Sequence, residues 1–153
     1  MQDKLLEISG WILLIILWVL AIRFFDILPD IIPTKFDGKG EVVSTGSKTH
    51  ILVLPAIATI VAIGLTVLNK YPHTFNYPAA IHQRNASAQY SNAVRMIRVL
   101  KLIVSCVCLL IVVMVWRSVT TGVTAWHPWI LIICLALIFV PSGYFLVKSY
   151  TSK

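Results

Sequence analysis

Four apolar runs divide the chain, and each has the length needed to cross a bilayer. A transmembrane helix needs about 20 mostly apolar residues. By that template, the sequence predicts helices over about residues 5–25, 49–68, 86–116 and 128–147. The first centres on WILLIILWVLAIRFF; the second, HILVLPAIATIVAIGLTVL, carries no charge. The third joins a polar extension, NASAQYSNAVRMIR, to the apolar run VLKLIVSCVCLLIVVMVW, and the fourth opens on Pro128, whose missing N–H costs nothing in a first turn. No run alternates over about ten residues as a membrane β-strand would. The pattern predicts an all-α integral membrane protein of four transmembrane helices in a single domain, 1–153. A short external loop or hairpin joins helices one and two, and a cytoplasmic helical loop joins two and three.

The stretch between the first two helices, LPDIIPTKFDGKGEVVSTGSK, is a different kind of sequence. The prolines at 29 and 33 push the residues before them toward extended backbone and end the first helix. Asp37-Gly38-Lys39-Gly40 is a turn signal between two β-prone pieces, IIPTKF and EVVST, so a small hairpin is expected. Ser47 or Thr49 is placed to cap the second helix.

Composition supports the membrane reading. The chain is 58% hydrophobic and 12% charged, far from the balance of soluble domains. Its N-terminal run lacks a clearly positive leading segment and a small-x-small cleavage site, so a retained helix is expected in place of a signal peptide.

Charge then orients the helices. Lys4, Lys70, Arg84, Arg95, Arg98, Lys101, Lys148 and Lys153 fall on the side of the termini, against Arg23, Lys35, Lys39, Lys48 and Arg117 opposite. The excess of positive residues places both termini in the cytoplasm. All six acids precede residue 42, leaving the loop between helices two and three purely cationic. Arg95, Arg98 and Lys101 recur every three residues along one side of a helix. They are expected to contact anionic lipid headgroups, with Lys101 snorkelling outward. Nothing interleaves aromatics with these cations as a nucleic-acid surface would. Trp116, Trp126 and Trp129 are expected at the outer interface, and Tyr71, Tyr77, Tyr144 and Tyr150 at the inner one.

Chemistry is sparse. Metal sites gather His, Cys or carboxylate ligands, yet His50 and His127 fall outside while His73 and His82 fall inside. Cys106, Cys108 and Cys134 read as apolar filler in the spans. Transporters, pumps and intramembrane proteases keep ionisable groups inside their spans, and the central part of each span here has no Asp, Glu or His. Neither a catalytic residue, nor a metal, nor a cofactor is expected, and Asn85-Ala86-Ser87, a glycosylation sequon, faces the cytoplasm. Pro55 and Pro141 are expected to kink their helices.

Leu28, Pro29, Ile32, Pro33, Phe36 and Gly40, with Gly46-Ser47-Lys48 leading into a helix, form an ordered motif. In this it resembles the bacterial domain of unknown function 1648, a membrane domain shared with SdpI-type bacteriocin immunity and signalling proteins. The resemblance covers about residues 25–65. The next segment, Tyr71, Pro72, His73, Phe75, Asn76, Tyr77 and Pro78, is similar to the one C-terminal to that domain in small stand-alone members. Two positions depart from the family pattern: Lys35 stands where a histidine is usual, and Val43 where an aspartate often stands. The resemblance implies a bacterial inner-membrane protein and no reaction. The expected role is non-enzymatic recognition of a peptide or membrane partner, with lipids around it; a small transporter or transporter subunit, using the kinked helices, is the alternative.

Overall fold

The computed structural model describes residues 2–77, 80–122 and 128–151. Four helices carry most of them: α1 (Gln2–Ile27), α2 (His50–Leu68), α3 (Ala86–Thr121) and α4 (Pro128–Thr151). All four are long and apolar enough to cross a membrane. Between α1 and α2 stand two strands, β1 (Ile31–Phe36) and β2 (Val42–Ser47), and a single 3-10 turn, Pro72–Thr74, comes after α2. The third helix continues past the expected end near residue 116 to Gly122, whose φ of 63° gives the left-handed C-terminal stop that glycine adopts without strain.

α3 is the hub, packing on α1, α2 and α4. Leu14, Leu17, Ala21 and Phe24 of α1 meet Ile51, Ala58 and Ala62 of α2 and Cys108, Val112 and Val115 of α3 in one apolar cluster. Small residues on α2 allow the close approach that lipid alone would not drive. Ile8, Ile15, Ile60, Phe139 and Val140 point outward, as apolar side chains do where the solvent is hydrocarbon.

Pro55 lies buried inside α2. One turn on, the Thr59 hydroxyl donates to the Pro55 carbonyl at 2.7 Å and accepts the Trp18 indole N–H at 3.0 Å. A polar tie between α1 and α2 thus sits beside the proline. α4 carries Pro141 at mid-length, where Ser142 donates back to Ile138 O at 2.6 Å.

At the hairpin end, Leu28 and Ile32 join the core at 3% and 2% exposure, anchoring the start of the hairpin on the bundle. Phe24 stacks on Trp116 with ring centroids 4.8 Å apart. Trp116, half-buried, therefore packs part of its surface on α1 at the hairpin end. Trp129, Tyr71, Tyr144 and Tyr150 are exposed, and Trp126 lies outside the described residues.

Candidate functional site

Two polar constructions stand out against the apolar bundle, one at each end. At the hairpin end, β1 and β2 pair antiparallel, Ile31 opposite Ser47 and Ile32 opposite Gly46. Pro33 pairs with Thr45, after which the register shifts twice before Phe36 meets Val42. A proline offers the ladder no N–H, so irregularity beside it is expected. The turn is closed by Asp37: its Oδ1 accepts the N–H groups of Lys39 and Glu41, each at 2.8 Å, and Gly40 adopts φ 88°. Glycine is needed there because other residues are strained at positive φ.

Lys48 fastens the hairpin base. Its ammonium lies 3.1 Å from Asp30 Oδ1 and 5.0 Å from the centre of the Phe25 ring, while its N–H donates to Asp30 O at 2.9 Å. Thr49 opens α2 without a cap from its own side chain; Ser47 Oγ accepts the Thr49 N–H at 3.3 Å. Of the motif residues, Leu28, Ile32 and Gly40 are buried, Pro33, Phe36 and Lys48 half-buried, and Pro29 exposed. Lys35 and Val43 are both exposed on the hairpin.

The opposite end is charged. Glu7 on α1 and Lys101 on α3 form an ion pair, and Lys101 Nζ also reaches Thr66 Oγ1 of α2 at 3.3 Å and lies 4.9 Å from the Trp11 ring centre. Trp11 Nε1 donates to Glu7 Oε1 at 3.1 Å. Gly10 makes the room: a methyl there would sit 3.0 Å from Lys101 Cε. Arg98 lies 3.4 Å from Glu7 and 4.0 Å from Asp3, and Arg95 Nε donates to Asp3 at 2.9 Å. The structure corrects the placing of Lys101 among lipid headgroups: it is 1% exposed and enclosed by three helices. Burial of an ammonium is costly without a partner, and the α1 carboxylate supplies one. Arg95 and Arg98 remain partly exposed while paired to Asp3 and Glu7.

Beside this cluster, the segment after α2 folds under α3 and α4. Tyr77 donates its hydroxyl to Pro72 O at 2.8 Å, and its ring sits 5.7 Å from that of Tyr90. Burial, with the neighbouring Tyr90 adding, pushes the Tyr77 phenol above its ordinary pKa. Ring contacts continue to Phe75, 6.2 Å away, and Tyr71 meets His73 edge-on. Phe75, Asn76 and Tyr77 line a small cavity of about 70 Å³ with Gln89, Asn92 and Phe145. Tyr71, His73 and Asn76 are exposed, and Pro72 is half-buried; Pro78 lies outside the described residues. Gln89 donates to Ser149 O at 2.7 Å and Asn92 to Phe145 O at 3.0 Å, tying α3 to α4. Sequence reading missed Gln89, Asn92 and Ser149, although the three-residue spacing of the two amides put them on one helix face. Among the described residues, no three His, Cys, Asp or Glu side chains gather as a metal site would require.

The helices define a multi-pass membrane protein. Residues 12–59 match the family described as Domain of unknown function (DUF1648), a span containing the whole Leu28 to Lys48 motif and beginning well inside α1. An uncharacterized protein of Archaeoglobus fulgidus is 32% identical over 72 residues, covering 42% of this chain and 39% of the relative. The matched region thus spans less than half of that relative's length. No solved structure matches.

Proposed function

We propose that this chain is a non-enzymatic recognition protein of the bacterial inner membrane, whose hairpin docks an extended peptide or an extended segment of a membrane partner. The carrying observation is a firmly seated hairpin with open edges. Among the described residues the sheet has only two strands, so each keeps one edge without a neighbouring strand. Ile31, Val42 and Val43 are exposed on it at 67%, 46% and 65%. Such edges accept a further strand through main-chain hydrogen bonds, and alternate side chains set specificity. Buried Leu28 and Ile32, with the main-chain bond from Lys48 N–H to Asp30 O, hold the hairpin in place, which lowers the ordering cost of binding. The resemblance to SdpI-type immunity and signalling proteins points to the same class of role. The excess of positive residues beside the termini supports a cytoplasmic location for both, with the hairpin outside.

The continuous apolar packing among α1, α2 and α3 favours recognition over a transport pathway between those helices. The test is crosslinking in native membranes and identification of adducts by mass spectrometry, comparing the full chain with one lacking residues 31–45. A peptide or protein retained by the full chain and lost from the deletion supports the reading; an unchanged set of partners contradicts it.

A further inference from the structure

The two edges of the hairpin are not equivalent. Lys48 N–H donates to Asp30 O, so these two residues form a hydrogen-bonded pair at the base of the ladder. Bonded and non-bonded pairs alternate along antiparallel strands, and the register runs regularly from there through Ile31 with Ser47, Ile32 with Gly46 and Pro33 with Thr45. Pro33 and Thr45 are therefore a non-bonded pair, with their main-chain groups turned away from each other toward the two outer edges. On the β1 side that position holds a proline nitrogen, which has no hydrogen to offer a third strand, and β1 also packs on α3. That edge is closed. On the β2 side Thr45 turns both an N–H and a carbonyl outward, with the Ser44 hydroxyl 3.5 Å from the carbonyl. Ser47 turns its N–H the same way, while its carbonyl lies 2.8 Å from His50 Nδ1.

Resting on the recognition role proposed above, we infer that β2 alone is the docking edge, and that its occupant is an extended, uncharged segment of another protein, rich in β-branched residues, held through the main chain of Thr45 and Ser47. Edge strands are guarded against further pairing by prolines and lysines. β1 carries both, as Pro33 and Lys35, and β2 carries neither. The β2 sequence, VVSTGS, has no charged side chain, so a charge on the incoming strand would meet no counter-ion along it. Val43 and Thr45 are exposed there, and strands rich in β-branched residues, with threonine facing threonine or serine, suit such a surface. A second copy of β2 has this chemistry and fits less well. In a symmetric antiparallel pairing centred on Thr45, each copy would draw on the Ser47 carbonyl, already engaged by His50, and on Val43, where the register shifts. A foreign segment escapes both constraints.

The test compares photocrosslinking from Val43 of the full chain in native membranes, unaltered and as Thr45→Pro, Thr45→Val and Pro33→Ala, with each adduct mapped by mass spectrometry. Thr45→Pro removes the outward N–H and is expected to lower the adduct about tenfold. Thr45→Val keeps that N–H, and Pro33→Ala adds a donor to the closed edge; each is expected to change the adduct less than about twofold. The adduct should map to an uncharged, β-branched sequence of another protein. A disulfide between Ile31→Cys and Ser47→Cys should form equally with and without Thr45→Pro, because a proline whose nitrogen lies outside the ladder leaves the pairing whole. Loss of that disulfide would place the Thr45 N–H inside the ladder and overturn the inference. Indifference to Thr45→Pro, or an equal loss with Pro33→Ala, overturns the choice of edge while recognition by the hairpin stands. An adduct on a second copy of this chain, or on a charged segment, overturns the choice of partner. No adduct from the unaltered chain contradicts the recognition role itself, and the docking edge with it.

Discussion

Glu7, one turn into α1, forms an ion pair with Lys101, a side chain 1% exposed at the meeting of α1, α2 and α3. The two lie 94 positions apart in sequence, so their pairing fixes the axial register of α1 against α3. Thr66 and Trp11 complete the enclosure, leaving the ammonium held by a carboxylate, a hydroxyl and an aromatic face. A buried pair of this kind is weak support for net stability and strong support for a specific arrangement.

Removing one partner is therefore expected to do more harm than removing both. Lys101→Met leaves Glu7 without its nearest cation, and Glu7→Gln leaves a buried ammonium; each should cost about 3 kcal/mol or more. The double variant Glu7→Leu with Lys101→Met should recover much of that loss. Denaturation in detergent, read as a double-mutant cycle, measures the coupling. Additive effects would show that the pair does not hold the helices.

Gly10 should tolerate no large side chain. Gly10→Leu pushes into Lys101 Cε and is expected to cost about 1–3 kcal/mol. Gly64, with nothing within 4 Å of an added Cβ, provides the contrast. Gly64→Ala should leave the melting temperature unchanged or slightly raised.

At the hairpin base, burial and charge make different predictions. Ile32→Ala removes a side chain that is 2% exposed and should cost about 2–5 kcal/mol. Asp30→Asn breaks an ion pair whose acid is 93% exposed, and its effect on the melting temperature should be close to nil. Comparing the two melts separates what seats the hairpin from what decorates it.

The α3–α4 ties predict a smaller effect. Gln89→Leu removes the hydrogen bond to Ser149 O and the one its Oε1 accepts from the Ser149 hydroxyl, and interhelical bonds within membranes average about 0.6 kcal/mol each, reaching about 1.7. A melting shift in that range, with faster proteolysis at the C-terminal end of α4, is the expected outcome.

The four helices were legible because apolar length alone separates a membrane span from other structure. The family was legible because Leu28, Pro29, Ile32, Pro33, Phe36 and Gly40 stand in a fixed order, and residues 12–59 do match it. The charged end was not. Arg95, Arg98 and Lys101 form one helix face by their spacing, but periodicity does not say whether that face meets lipid or another helix. The missing signal was in α1: Asp3 and Glu7 are four apart, share a helix face, and lie on the same side of the membrane as the three cations. Matching those two ladders would have predicted the contact between α1 and α3. Asn92 offered no comparable clue, since an unpartnered acceptor exists only once α4 has taken its amide nitrogen.

Site-specific photocrosslinking from Val43 in native membranes tests the recognition role most directly, with the same photoreactive residue at Ile133 of α4 as a lipid-facing control. A discrete peptide or protein adduct at Val43, absent at Ile133 and weakened when Ile32→Ala unseats the hairpin, is the predicted result. Lipid adducts alone at both positions would contradict the account.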